Sequence, residues 1–396
     1  MMELLGVDAA LELILSRVQV LESEDVPIAD AAGRVLTADA RATVDLPPFA
    51  SSAMDGFAVR AADTPGTMPV VERLAAGRPA TRPLRAGEAM GIATGAVVPD
   101  GADAVIPLEY VVEHDNAIGI ADAVEAGSHV RPQGGDVPSG AVVVAAHSRL
   151  GPAQIGAAAA AGAGVVQCTR RLRAAVVTTG TELRRPGEAL GPGQIYEANG
   201  AILTAALTGS GADVVAIPAV ADDRELHRAA LGTALEADLV VSSGGVSVGP
   251  HDLVRTVERE LGVEEVFWRV AVKPGKPLAF GVRDRTLVFG LPGNPVSALV
   301  CFEVFVRPAV RALQGERDVG PRYLAGELVA HVRRNADRDE FVRARRRVEN
   351  GRVLLEPVSG QESHMIARAA AADALVLSPR GEGSLAAGSS VRFLAL

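Results

Sequence analysis

The stretch of residues 239–261 constrains the fold of this chain more than any other part of the sequence. An apolar run, 239–241, breaks abruptly into Ser242-Ser243-Gly244-Gly245-Val246-Ser247-Val248-Gly249, and a helical pattern begins at Leu253. The pattern predicts a strand, a glycine-rich turn and the start of a helix. Such a turn is typical of an anion site, most often for a phosphate. Glycine lets backbone N–H groups approach a ligand, and the helix start adds partial positive charge.

Two further loops rich in Gly and Pro follow the next predicted strands, 270–272 and 287–289. They read Lys273-Pro274-Gly275-Lys276-Pro277 and Gly290-Leu291-Pro292-Gly293-Asn294-Pro295-Val296-Ser297. Continuous apolar strands that alternate with helices predict a parallel sheet covered on both faces. Ligands bind beyond the carboxyl ends of such strands, so the three loops predict one common site.

Helices are predicted from the spacing of apolar residues and from capping residues. We expect a helix at 5–19 and a long one at 296–313. Asn199 is expected to cap a helix that runs to residue 208, and Asp222 or Asp223 to cap the next one.

Both flanks of this α/β region read as β-rich. Short apolar runs separated by Gly and Pro predict a small β domain at 45–137, and strands return after residue 320 with a hairpin signal at Asn350-Gly351. The segment 333–352 carries eight arginines. It either walls an anion site or is an exposed edge strand protected by charge, and we favour the edge strand.

Composition excludes several classes of function. The net charge of −9 argues against general binding of nucleic acid, so any anion site has to be built locally. The two cysteines form no CxxC pair, which argues against a thiolate zinc site and fits a reducing cytoplasm. The first residues do not resemble a signal peptide, and the apolar stretch 155–166 is too short to span a membrane. We therefore expect a cytoplasmic protein without a membrane or nucleic-acid partner.

One motif supports a different class of function. Gly245-Val246-Ser247-Val248-Gly249 matches the G-x-S-x-G nucleophile elbow, with Ser247 as the nucleophile of a serine hydrolase. Of the candidate histidines, His251 is too close in sequence, while His331 and His364 lie in the predicted C-terminal β domain. No P-loop and no dinucleotide-binding glycine motif occurs.

Charged residues in the loops indicate what such a site could do. Two lysines, Lys273 and Lys276, lie in a turn made rigid by proline and could neutralise a phosphoanhydride or an oxyanion. Mg²⁺ prefers one or two carboxylates together with phosphate oxygens. Carboxylates within Gly-, Ser- or Thr-rich turns are Asp55, Asp136, Glu182, Asp222 and Asp252. A helix cap or a solvated surface charge is an equally good interpretation of each one alone.

Taken together, these motifs resemble the molybdopterin molybdenumtransferase family, known as MoeA in bacteria and as the C-terminal domain of gephyrin. The strongest parts are Ser52-Ala53-Met54-Asp55-Gly56-Phe57-Ala58 and the three loops above. The likeness runs over nearly the whole chain. The chain departs at Gly135 and Thr181, where the family often carries an acidic residue.

The resemblance implies an α/β multidomain fold with four parts. Residues 1–44 and 138–168 would form an elongated N-terminal domain with a helical segment, and 45–137 a β-rich insert. Residues 169–316 would form the parallel α/β molybdopterin-binding domain, and 317–396 a C-terminal β-barrel. A homodimer is implied, in which the insert of one subunit closes over the α/β domain of the other.

The implied reaction inserts molybdenum from molybdate into adenylylated molybdopterin and releases AMP. The residues that the resemblance makes catalytic are Asp55, Asp136, Glu182, Asp222, Lys273 and Lys276. Asp55, Glu182 and Asp222 would hold Mg²⁺. Substrate binding would fall to Thr94, Arg131, Ser243, Gly244, Gly245, Ser247, Gly249, Asp252, Pro292, Gly293, Asn294, Pro295 and Ser363.

The resemblance also bears on partners and on a rival activity. Molybdopterin adenylyltransferase and apo-molybdoenzymes are the expected partners besides the pterin substrate. The rival is that the α/β domain itself is a molybdopterin adenylyltransferase that uses ATP.

Overall fold

The computed structural model describes residues 4–245 and 253–396. The chain has an α/β multidomain fold and divides into two compact units. One unit is Asp25–Cys168, and the other combines Met1–Glu24 with Thr169–Leu396. The finer division into four domains stays a prediction.

The second unit contains the predicted parallel sheet. Four parallel strands are followed by two antiparallel ones, in the spatial order Ala212–Val220, Leu172–Thr179, Leu239–Ser243, Thr286–Leu291, Ala279–Arg283 and Glu264–Trp268. Alternate residues of one strand enter different apolar clusters: Ala174 and Val176 pack on one side, and Ala175 and Val177 on the other. This period of two confirms a sheet that is buried on both faces.

Two features of this sheet differ from the prediction. The antiparallel strands Glu264–Trp268 and Ala279–Arg283 were not predicted. The predicted strand at 270–272 corresponds to Val272–Lys273, which pairs in parallel with the C-terminal strand Asp339–Glu349. The lysine loop therefore does not follow a strand of the α/β sheet, and the prediction of three loops on successive strands of one sheet is wrong for this loop.

Helices cover the sheet where the apolar pattern predicted them. Their bounds are Val7–Ser16, Asn199–Gly209, Arg224–Ala234, Leu253–Glu260, Pro295–Cys301 and Arg307–Leu313, with a short helix at Ile366–Ala369. The helices Pro295–Cys301 and Arg307–Leu313 are joined by a π-helical turn at Phe302–Val306. Among the described residues, no helix is both long and apolar enough to cross a membrane.

The C-terminal part of this unit is the predicted β-barrel. Five strands close on themselves in the order Asp339–Glu349, Arg352–Pro357, Tyr323–Leu328, Ser390–Ala395 and Ala374–Ser378. The hairpin at Asn350-Gly351 is confirmed, with φ of 50° and 75° as a type I′ turn requires. The edge-strand interpretation is wrong, because Asp339–Glu349 has a hydrogen-bonded neighbour on each side. Small sheets add Leu183–Arg184 with Ile195–Tyr196 and Val332–Arg333 with Ser384–Leu385.

The unit Asp25–Cys168 is built around an independent six-stranded sheet. Its order is Ala104–Pro107, Gly56–Val59, Ala89–Ile92, Gly66–Leu74, Ala117–Ile120 and Val111–His114. Two-stranded pairs are Ser51–Ser52 with Val130–Arg131, Ala40–Arg41 with Val142–Val144, and Ser23–Pro27 with Val165–Thr169. The helix Pro152–Ala160 contacts the strand Val142–Val144 and the short 3₁₀ helix Ile28–Asp30.

Candidate functional site

A cavity of about 680 Å³ lies at the carboxyl ends of the parallel strands, in the unit of residues 169–396. We call it the loop cavity. Among the residues that line it are the predicted site residues Glu182, Asp222, Ser243, Gly244, Gly245, Pro292, Gly293, Asn294 and Pro295. The structure thus brings together the serine–glycine loop, the proline–glycine–asparagine loop and two of the predicted carboxylates.

The two glycine-bearing loops of this cavity are in contact. The N–H of Gly244 donates a hydrogen bond to the carbonyl of Leu291 at 3.3 Å. Gly244 has φ of 100°, and a Cβ there would lie 2.3 Å from the carbonyl oxygen of Thr179. Glycine is needed here because two chain segments approach closely. The N–H of Gly244 is engaged within the protein and is not directed at a ligand.

Asn199 joins both loops, although the sequence assigned it only a capping role. Ala198 occupies the cap position, and Asn199 is the first helical residue. Its Nδ2 donates to Ser243 Oγ at 2.8 Å and to the carbonyl of Gly293 at 2.7 Å. Ser243 Oγ donates in turn to the carbonyl of Pro292 at 3.2 Å. The prediction that Asn199 caps the helix is therefore wrong, and its side chain fixes the loops.

The carboxylate Asp222 is free to face the cavity because its neighbour supplies the helix cap. Asp223 accepts from the N–H groups of Glu225 and Leu226, as expected for an N-cap. Asp222 Oδ2 accepts from Thr181 Oγ1 at 3.1 Å. Thr181 stands where the resembling family often has an acidic residue. In this chain the position holds Asp222 by a hydrogen bond and adds no charge.

The described lining of the loop cavity is acidic. It contains Glu182, Glu197 and Asp222, together with His364 and no lysine or arginine. Within residues 4–245 and 253–396, no three side chains of Asp, Glu, His or Cys are grouped so that they could hold a metal ion by themselves. A phosphate in this cavity therefore needs a cation that these lining side chains do not supply.

A buried histidine lies behind Asp222. His227 is in the helix Arg224–Ala234 and is almost fully buried. Burial lowers the pKa of its imidazole, and the carboxylates of Asp222 and Asp223 offset this effect only in part. We therefore expect a neutral His227 next to the cavity at neutral pH.

The lysine loop borders a second and more cationic cavity. This cavity of about 860 Å³, which we call the barrel cavity, is lined among others by Lys273, His331, Arg333, Arg334 and Glu340. Lys273 Nζ forms an ion pair with Glu340 Oε1 at 3.0 Å. Lys276 is exposed and makes no ion pair within the described residues.

The loop that follows the strand Arg352–Pro357 reaches both cavities. Ser363 accepts a hydrogen bond from Asn294 Nδ2 at 2.9 Å, and its carbonyl accepts from the N–H of Val296 at 3.1 Å. His364 lines the loop cavity, whereas Gln361 lines the barrel cavity. The structure therefore brings Ser363 next to the proline–glycine–asparagine loop.

Arg343 holds this loop from inside the barrel. Its side chain is only 1% exposed, in contrast to the solvated role predicted for the arginine-rich segment. Its guanidinium donates to the carbonyls of Gly360 at 2.8 Å, Met365 at 3.1 Å and Glu362 at 3.2 Å. Composition does not predict this role for Arg343, because only the fold places carbonyl groups around its guanidinium.

Four predicted site residues lie in the other unit, Asp25–Cys168. Asp55 Oδ1 accepts from the backbone N–H of Thr94 at 2.7 Å, so these two residues are neighbours. Arg131 pairs across a short sheet with Ser51. Asp136 donates its N–H to the carbonyl of Leu46 at 2.9 Å, in a separate loop. The predicted residues Ser247, Gly249 and Asp252 lie outside the described residues.

Three family models match successive parts of the chain. The MoeA N-terminal region (domain I and II) matches residues 5–162, and the MoeA C-terminal region (domain IV) matches 325–396. Between them, a probable molybdopterin binding domain matches 175–312. The described loop cavity is lined mainly by residues of this central match.

Similar proteins agree with these models over almost the full length. Molybdopterin molybdenumtransferase 2 of Mycobacterium tuberculosis is 38% identical over 382 residues, covering 93% of both chains. The molybdopterin molybdenumtransferase of Haemophilus influenzae is 33% identical with the same coverage of 93% of both chains. A crystal structure of a molybdopterin biosynthesis MoeA protein from Pyrococcus horikoshii covers 99% of both chains, with a TM-score of 0.82 at 32% identity. The chain therefore belongs to the MoeA family of molybdopterin molybdenumtransferases.

Proposed function

We propose that this protein inserts molybdenum from molybdate into adenylylated molybdopterin and releases AMP, as a step in molybdenum cofactor biosynthesis. The observation that carries this proposal is the loop cavity, whose two touching loops, carboxylates and neighbouring lysine loop match what two anionic substrates need. Membership of the MoeA family supports the choice of substrates.

We propose that the loop cavity binds the pterin phosphate. Asn199 and Ser243 hold the loop of Pro292–Pro295 at a fixed distance from Gly244. Pro292, Gly293 and Pro295 would form a rigid wall for molybdate, and Ser363 would bind through its contact with Asn294. A cavity held by hydrogen bonds between its own walls needs little reorganisation when the substrate binds.

The acidic lining supports a magnesium-dependent reaction. Glu182 and Asp222 can supply two carboxylates, which fits a cation that takes its remaining ligands from phosphate oxygens and water. Mg²⁺ bound there would neutralise negative charge on the phosphoanhydride. Asp55 is the third carboxylate that the sequence predicts for this ion.

The lysines are proposed to act on the same bond. The chain has 39 Lys and Arg residues, but only Lys273 and Lys276 are lysine. An ammonium is a compact point charge, whereas a guanidinium is a planar fork, so the two groups are not equivalent beside an oxyanion. The presence of both lysines in one loop supports a role that needs an ammonium.

The remaining predictions about the site and its setting stay proposals. Asp55, Asp136, Thr94 and Arg131 are proposed to contribute to the same reaction. We further propose that the protein is a cytoplasmic homodimer. It would receive its substrate from a molybdopterin adenylyltransferase and pass its product to apo-molybdoenzymes. Adenylyl transfer and serine hydrolysis through Ser247 are not favoured, because relatives that align over 93% of the chain are molybdopterin molybdenumtransferases.

An AMP-release assay tests this function. The purified protein is incubated with adenylylated molybdopterin, molybdate and Mg²⁺, and AMP is quantified beside reactions that lack one component. We expect AMP to appear only when all three are present, together with a product that activates an apo-molybdoenzyme. No AMP release from the complete mixture would contradict the proposal, and labelling of Ser247 by a phosphonate probe would favour the hydrolase.

A further inference from the structure

We propose that Glu340 is a positioning residue that holds the ammonium group of Lys273 where it acts on the substrate. The inference rests on the proposed function, in which Lys273 acts on the phosphoanhydride. Glu340 belongs to the C-terminal barrel, so the barrel takes part in the reaction through this contact.

The first observation is the ion pair itself. Lys273 Nζ lies 3.0 Å from Glu340 Oε1. The side chain of Glu340 is 10% exposed, whereas that of Lys273 is 41% exposed. The carboxylate is therefore held away from water, while the ammonium keeps an open side. An ammonium has three donors, so Lys273 can contact Glu340 and still offer donors to a substrate.

The second observation is that the backbone fixes both partners. Val272 and Lys273 pair in parallel with Asp339 and Glu340. The N–H of Asp339 donates to the carbonyl of Ala271 at 3.0 Å, and Val272 and Phe341 on either side are buried. The Cα atoms of the ion pair thus cannot separate without breaking a strand pairing.

Side-chain freedom explains why a partner is needed. A lysine side chain has a flexible four-carbon stem and loses much rotamer entropy when it is held in one place. A buried carboxylate is in turn strongly disfavoured without a cation beside it. Each group therefore restrains the other. Lys276 offers the contrast, because it is exposed and has no such partner within the described residues.

The lysine content of the chain gives the test a direct spectroscopic signal. Since Lys273 and Lys276 are the only lysines, reductive methylation with ¹³C-formaldehyde labels these two side chains and the terminal amine. In ¹H–¹³C spectra we expect Glu340→Gln to move the Lys273 resonance and leave that of Lys276 in place. Asp339→Asn is the matched control, because it removes one charge from the adjacent residue and keeps an acceptor for the N–H of Arg380.

Kinetics of AMP release by the unmodified protein provide the second measurement. We expect Glu340→Gln to lower kcat about tenfold, with KM for adenylylated molybdopterin changed less than about twofold, since the amide keeps an acceptor but removes the negative charge that holds the ammonium. Glu340→Asp keeps the charge on a shorter stem and should fall between the wild type and Glu340→Gln. Asp339→Asn should stay within about twofold of the wild type.

A double-mutant cycle separates positioning from simple support of the fold. If Glu340 acts through Lys273, Glu340→Gln has no further effect on kcat when Lys273→Met is already present. Should Glu340→Gln melt below the assay temperature, Glu340→Asp carries the same cycle.

The possible failures can be told apart. A wild type that releases no AMP overturns the proposed function. A wild type that is active, together with Glu340→Gln within twofold of it, additive losses in the cycle or an unmoved Lys273 resonance, overturns the positioning role alone.

Discussion

The loop cavity and the barrel cavity differ in charge although both belong to the unit that contains residues 169–396. The described lining of the loop cavity carries Glu182, Glu197 and Asp222 and no basic side chain except His364. The barrel cavity carries Lys273, Arg333 and Arg334 beside its carboxylates. The described lining of the loop cavity is thus acidic, whereas in the barrel cavity the carboxylates Asp337, Glu340 and Glu382 are matched by three basic side chains.

The difference indicates a division of roles. An acidic cavity with rigid glycine-bearing loops can hold a phosphate only together with a cation, which favours metal-assisted binding there. A lysine fixed by a buried carboxylate can stabilise charge that develops during the reaction without being reorganised. We therefore propose that the loop cavity binds the substrate and that the lysine loop stabilises charge.

The largest effect is expected from a substitution that disturbs the loop between the two cavities, where Gln361 lines one cavity and His364 the other. Arg343→Met removes the guanidinium that binds three carbonyls of the loop carrying Ser363 and Gln361. We expect the free energy of unfolding to fall by about 3–5 kcal/mol, because buried acceptors lose their donor. Urea denaturation measures this loss. Arg347→Met is the control on the same strand, since Arg347 is half exposed, and equal losses in both variants would contradict the assigned role.

The second prediction concerns the ammonium group of the barrel cavity. Lys273→Arg keeps the positive charge but replaces the point charge with a planar fork, and Lys273→Ala removes it. We expect Lys273→Ala to lower kcat for AMP release about 10–150-fold, with Lys273→Arg closer to Lys273→Ala than to the wild type. Full activity of Lys273→Arg would mean that only net charge matters.

The third prediction tests whether the acidic loop cavity binds a cation at Asp222. Thr181→Asp places a further carboxylate beside Asp222 in place of the present hydrogen bond. We expect Mg²⁺ alone to bind about tenfold more tightly, since affinity rises with the number of charged ligands. Calorimetric titration with MgCl₂ measures this, and Thr208→Asp, exposed and outside the cavity lining, controls for added charge. Unchanged affinity would argue against a cation at Asp222.

The smallest expected effect is a pH dependence on the loop-cavity side. Burial lowers the pKa of His227 below its ordinary value of 6.5. Between the two pKa values the imidazole is therefore protonated in the unfolded chain and neutral in the folded chain. This contribution to stability is complete above the unfolded-state pKa and is lost as pH falls from there to the folded-state pKa. Unfolding free energies between pH 8 and 5 should decline less in His227→Leu than in the wild type. Parallel declines would show that His227 does not contribute.

The sequence predicts local structure well where one pattern decides it. The apolar runs of the strands Leu239–Ser243 and Thr286–Leu291 and the turn at Asn350-Gly351 belong to this group, because burial on both faces and a positive φ leave few alternatives. The strands and the turn depend on neighbours in the chain. The family motifs also named several residues that line the loop cavity, among them Glu182, Asp222 and Ser243.

Features that depend on distant partners could not be predicted in the same way. Val272–Lys273 has ordinary strand composition, and only the fold decides that it pairs with the barrel. Arg343 looks like its exposed neighbours until carbonyls from a later loop surround it. Asn199 is of a residue type that often caps helices. The approach of Ser243 and Gly293 gives its side chain another role.

Binding and turnover measured on one variant test the division of roles most directly. The affinity of Lys273→Ala for adenylylated molybdopterin is determined by calorimetry in the presence of Mg²⁺ without molybdate, and its AMP release is then measured with molybdate. We predict a Kd within about twofold of the wild type together with a loss of kcat of about 10-fold or more. A Kd that rises as much as activity falls would contradict the account, because Lys273 would then belong to the binding site itself.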